Sequence, residues 1–155
     1  MRMVDVTAKA PTVRTATATG FVHCAPGVVA ALRDQQVPKG DVLAVARVAG
    51  IAAAKRCPDL VPLAHPVAVH GVVLDAQVLD TGVALTATVR TADRTGVEME
   101  ALTAVSVAAL TVVDMVKGLD KHTWIGHVRL EAKSGGRSGS WNRAAGGPEA
   151  SPDKG

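Results

Sequence analysis

Thr and Ala alternate from position 15 to Phe21, the two-residue period of a strand with one buried face. This predicts a first strand over 15–22, of edge type. Pro26 then opens a short helix over 27–33, because proline is tolerated in a first turn. Residues 35–40 read as a loop, and Asp41 is a natural N-cap for a helix over 42–57. Its apolar face takes Val42, Val45, Ala49, Ala52 and Ala53, and Pro58 ends it. Alternation returns over 67–79 and 83–91, with Asp80-Thr81-Gly82 as a hairpin turn. Thr95-Gly96 leads into a long helix over 97–119, and 124–132 reads as a last strand. Strand, helices, strand, strand, helix, strand is the split βαβ pattern. It predicts an α+β fold, a ferredoxin-like antiparallel sheet with helices packed on one face. Residues 1–12 form a flexible N-terminal arm, 13–133 a single domain, and 134–155 a Gly/Ser-rich flexible tail.

The long helix is apolar enough over 101–116 to raise a membrane reading. However, Thr103, Ser106 and Thr111 interrupt it, Asp114 lies inside it, and it is shorter than the ~20 apolar residues of a span. A buried helix and no membrane partner are expected. Aromatics make up only 2% of the 155 residues, with one Phe, two Trp and no Tyr. The core must then come from Ala, Val, Leu and Ile, which bury little area each. Burial against further copies of the chain is one remedy. A net charge of +3 suits an anionic ligand, and serves solubility equally well. Cys24 and Cys57 have no CxxC or metal-type spacing, and the N-terminus MRMVDVTAKA has no apolar signal core. Free thiols and a cytoplasmic location are expected.

Asp114 and Lys117 lie three apart on the long helix and face the same way. They make either a surface ion pair or, with the carboxylate among apolar neighbours, an acid–base couple. Glu98 and Glu100 open the same helix, where carboxylates are favoured. Glu100 turns toward the side of Asp114, but fourteen residues of helix put the two ~21 Å apart. One pocket using both ends then needs a second copy of the chain, or a long substrate lying along the helix. His65 is displayed between Pro62 and Pro66, as a binding group or as a tie for the turn. Lys39, just before a helix start, suits a phosphate without any Walker spacing. The glycines between Lys133 and Arg137 suit an oxyanion or a flexible tail. No histidine set has ligand spacing, so no metal is assigned.

These segments stand in order: Lys39-Gly40-Asp41-Val42, Pro62-Leu63-Ala64-His65-Pro66, Thr95-Gly96-Val97-Glu98-Met99-Glu100-Ala101-Leu102, Asp114-Met115-Val116-Lys117 and Ala132-Lys133-Ser134-Gly135-Gly136. Together they resemble the cyclic pyranopterin monophosphate synthase family, the molybdenum cofactor biosynthesis protein C family. The resemblance runs from about residue 3 to residue 139. It implies a lyase that converts 3′,8-cyclo-7,8-dihydroguanosine 5′-triphosphate to cyclic pyranopterin monophosphate and releases diphosphate. It also implies a homohexamer, a trimer of dimers, with sites at subunit interfaces.

Residue by residue, the resemblance makes Asp114 and Lys117 the catalytic pair. It makes Leu63, Ala64, His65, Met99 and Glu100 substrate contacts, with Glu98, Lys39 and Lys133 as further site positions. Ala64 departs from the pattern, since many relatives carry Cys there. No cofactor is required by this reading, and Mg²⁺ travelling with the triphosphate is left open. One rival is an RNA-binding module of the same topology, which needs strand aromatics that this chain almost lacks, Trp124 excepted. A second is a relative that binds nucleotide without turnover.

Overall fold

The computed structural model describes residues 1–144. Its first strand, β1 (Thr12–His23), is followed by α1 (Pro26–Arg33), α2 (Val42–Ala54) and α3 (Cys57–Leu60). Then come β2 (Gly71–Leu79), β3 (Gly82–Asp93), α4 (Glu98–Val116), β4 (Trp124–Ser134) and β5 (Trp141–Asn142). The sheet order is β2-β3-β1-β4-β5, and every pairing is antiparallel. The first four strands of that order make the expected ferredoxin-like sheet, and β5 extends it past β4.

β1 is central, not an edge strand, and pairs with both β3 and β4. The Thr/Ala alternation had hidden this. Ala16, Ala18 and Gly20 are small because α4 lies directly on them, and a Cβ at Gly20 would overlap Val105. The other face carries Thr15, Thr17 and Thr19, whose hydroxyls reach Ser134, Thr88 and Glu131.

The helix expected over 42–57 is two helices. Asp41 caps α2 as predicted, accepting from the Ala44 N–H at 3.1 Å. Pro58, lacking an N–H, sits in the first turn of α3 rather than closing α2. The buried face of α2 is Val42, Ala46, Gly50, Ala53 and Ala54, while Val45 and Val48 are 45% and 68% exposed. Arg47 apart, the helix is apolar all round, so period alone does not assign its faces. Gly50 sets the approach of α2 to α4: a Cβ there would overlap Leu74 and sit 2.8 Å from the Ala104 carbonyl oxygen.

α4 is long and apolar enough for a membrane span, yet its buried stripe faces the sheet. Its hydroxyls bond inside the fold. Ser106 donates to the Leu102 carbonyl, Thr111 to the Val107 carbonyl, and Thr103 to the Cys57 sulfur. The core is mostly Ala and Val, with Leu32, Leu74, Leu85 and Met115. Isoleucine, expected in it, packs only at its margin as Ile51 and Ile125. Of the expected tail, residues 135–144 return to the sheet as a glycine-rich turn and β5. Residues 145–155 lie outside the described residues.

Candidate functional site

α4 carries a charged cluster at each end. At its C-terminal end, the loop before α2 brings Lys39 to the last turn. Lys39 Nζ donates to Asp114 Oδ2 at 2.9 Å and to the Asp114 carbonyl oxygen at 3.1 Å. Lys117 Nζ donates to Asp114 Oδ1 at 2.6 Å. Both ammonium groups therefore face the negative end of the helix dipole, and Lys39 satisfies a carbonyl the helix leaves open. Hydrogen bonds from Lys117 and then Lys39 lower the Asp114 pKa to about 2. The Asp114 side chain is 54% exposed, so the desolvated carboxylate expected among apolar neighbours is absent in the single chain. Val112, Met115 and Val116 take the inward positions of this turn and leave Asp114 outside. Beside the cluster lies a cavity of about 650 Å³, lined by Pro38, Lys39, Val113, Met115, Lys117 and Lys121 among others.

The N-terminal end has the opposite character. Glu100 is only 3% exposed. Burial, and then the charge of Glu98, raises its pKa. Glu98 Oε1 lies 3.3 Å from Lys133 Nζ on β4. Gly96 leaves room for this, because a Cβ there would overlap the Glu98 carboxylate. Met99 between the two acids is exposed, as is Leu63, while Ala64 and His65 are half-buried. His65 Nε2 bonds the Val4 main-chain oxygen, so this nitrogen carries the proton. That contact ties the N-terminal arm to the 62–66 loop. The two border a cavity of about 610 Å³ with Asp5, Thr7 and Arg94. A second opening, about 420 Å³, is lined by Lys9, Arg14, Gly136 and Arg137.

The structure thus joins Lys39, Asp114 and Lys117, and separately Glu98 and Lys133. It keeps the two groups at opposite helix ends, with Glu98 and Asp114 ~24 Å apart by helix rise. The bond from Lys39 to Asp114 spans 75 positions, and no spacing rule announces it. Lys121 and Arg14 also border the cavities, and the sequence singled out neither. Cys24 and Cys57 are free thiols. Burial pushes Cys24 up to about 11, which disfavours its thiolate, and also raises Cys57. Among the described residues no group of three or more His, Cys, Asp or Glu is placed to hold a metal ion.

Sheet order and helix placement define the class, an α+β protein of ferredoxin-like topology with a charged cluster at each end of its central helix. Sequence comparison then gives the family. The MoaC family profile matches residues 3–136, and the chain belongs to that family. It is 65% identical to a cyclic pyranopterin monophosphate synthase of Streptomyces coelicolor, covering 92% of this chain and 84% of that protein. A protein of the same name from Geobacter sulfurreducens is 54% identical, over 93% of this chain and 91% of its own length. The cyclic pyranopterin monophosphate synthase 2 of Mycobacterium tuberculosis is 55% identical, over 91% and 84%.

Proposed function

We propose that this chain is a cyclic pyranopterin monophosphate synthase acting in molybdenum cofactor biosynthesis. Its substrate is 3′,8-cyclo-7,8-dihydroguanosine 5′-triphosphate, and its second product is diphosphate. The observation that carries the reading is the Asp114 carboxylate gripped by Lys39 and Lys117, the two lysines that line the neighbouring cavity. Residues from two motifs far apart in sequence meet there.

The chemistry asks for three things. The ring of the substrate offers N–H donors, which suit the carboxylates of Glu98 and Glu100. Its triphosphate calls for cations, which Lys39, Lys133 and Arg137 supply. Opening the purine ring and closing the pterin ring move protons, the work of Asp114 and Lys117. In the last step a hydroxyl of the sugar portion attacks the α-phosphorus. A new P–O bond forms, the bond to the β-phosphate breaks, and diphosphate leaves. Ammonium groups stabilise the charge that develops on it.

Asp114 is ionised at neutral pH while both lysines hold it. Phosphate oxygens compete for those same ammonium groups, and each one drawn away returns the Asp114 pKa toward its ordinary value.

The two clusters form one site when two copies of the chain bring opposite ends of their helices together. A homohexamer, a trimer of dimers with interfacial sites, satisfies that requirement and offers a partner surface to exposed Val48, Val73 and Leu110. In this reading the enzyme works in the cytoplasm without a resident cofactor. Incubating the protein with the cyclised nucleotide tests the function directly. Stoichiometric diphosphate and cyclic pyranopterin monophosphate are expected. Binding without product contradicts the proposal. A parallel reaction with chelator reads whether Mg²⁺ accompanies the triphosphate.

A further inference from the structure

Beyond Lys133 the chain turns back on itself through Gly135, Gly136 and Gly139, at φ of +88°, +77° and +66°. The first two lie against β1. A Cβ on Gly135 would overlap the Val13 carbonyl oxygen, and one on Gly136 the Arg14 guanidinium. Glycine loses much conformational freedom when it is ordered, so such a turn needs an anchor at its far end. β5 is that anchor, but its ladder has only two pairs, Ala132 with Asn142 and Lys133 with Trp141. Two pairs are marginal alone.

Arg143 completes the anchor. Its main-chain N–H donates to the Glu131 carbonyl at 2.8 Å, and its Nε donates to the Leu130 carbonyl at 2.8 Å. Its guanidinium stands 5.5 Å from the centroid of Trp141 and 4.0 Å from Glu131 Oε2. Glu131 is itself fixed, accepting from Thr19 Oγ1 at 2.7 Å and Arg129 Nε at 2.6 Å. The turn anchored in this way presents Ser138, whose Oγ accepts from Lys133 Nζ at 3.1 Å, opposite Glu98. The Lys133 ammonium is thus held between two partners, and one of them depends on the anchor.

We propose that Arg143 is a positioning residue for the anionic half of the substrate. It clasps the 135–140 turn so that Ser138 keeps the Lys133 ammonium aimed beside Glu98. The inference rests on the reading of Lys133 given under Proposed function.

The test compares Arg143→Ala, Arg143→Lys, Lys133→Ala and the Ala/Ala double variant. Arg143→Ala is expected to raise KM for the cyclised nucleotide about tenfold while kcat stays within about twofold, the sign of lost ground-state binding. Arg143→Lys recovers part of this, because lysine keeps the charge and loses the fork. Placed on Lys133→Ala, the Arg143 change adds nothing, since it acts through that lysine. Amide exchange over 135–140 quickens in Arg143→Ala with the melting temperature unchanged. Should wild type fail to turn over, the proposed function falls. Inorganic tripolyphosphate affinity, by calorimetry on wild type and the same four variants, then takes the place of KM. Unchanged KM or affinity in Arg143→Ala overturns the clasp, whether or not exchange quickens. So does a full Arg143 effect in the Lys133→Ala background.

Discussion

The two ends of α4 carry carboxylates in opposite states. Asp114 stands in solvent between two ammonium groups, and its pKa falls to about 2. Glu100 is buried near another acid, and its pKa rises. The acids of the first turn match the helix dipole, whereas Asp114 in the last turn runs against it and is offset by Lys39 and Lys117. One helix can therefore hold a carboxylate of raised pKa and one of lowered pKa at fixed separation. Neither burial nor residue type alone sets the difference; the partners that the rest of the fold brings to each end do.

The largest effect is expected at the C-terminal end. Asp114→Asn or Lys117→Ala should lower turnover ~10³-fold while leaving the melting temperature nearly unchanged. An initial-rate assay beside a thermal melt checks this, and a variant at wild-type rate removes the catalytic role. At the N-terminal end, Glu100→Gln should lower turnover ~10²-fold if Glu100 meets the substrate ring as proposed, because an amide carbonyl accepts a ring N–H more weakly than a carboxylate does. The helix itself is the spacer between the ends, and Gly50 fixes its seat on α2. Gly50→Ala forces a Cβ against Leu74 and a backbone oxygen, and should cost about 2 kcal/mol in urea denaturation.

Smaller effects separate the two carboxylates by pH. The folded-state pKa of Glu100 lies above its ordinary 4.5, so wild type loses stability as pH rises from there through the folded value. Glu100→Gln does not titrate. It should melt above wild type at pH 7 and lose that advantage below pH 4.5. Asp114 has the opposite sign. Its contribution is present above 3.8 and fades as pH falls toward 2. Because the pair is exposed, this is the smallest difference, and salt should shrink it further.

Element order was legible because periods of two and 3.6 persist over long stretches. The burial of β1 on both edges was not legible. Strand period reports faces, whereas pairing partners come from chain segments dozens of residues away. The α2 stripe is not legible from period because Val45 and Ala52, placed in it, are as apolar as the positions that face inward, yet both are exposed. Glu100 and Asp114 sit within about 40° on one helix side. Even so, only the N-terminal half of that side is covered, a fact set by tertiary packing. Lys39 was legible as a cation before a helix, and its partner Asp114 was not. The Glu98 to Lys133 pair likewise joins two separate motifs.

The proposed function has the two ends of α4 work together across two copies of the chain. Mixing Glu100→Gln with Asp114→Asn protein, after reversible dissociation and reassembly, tests it most directly. Composite sites assembled from one intact end of each variant should restore about a quarter of wild-type turnover, since random pairing gives that share of complete sites. Turnover in the mixture no higher than that of the two variants apart would contradict the account, and would place both ends in one chain's own site.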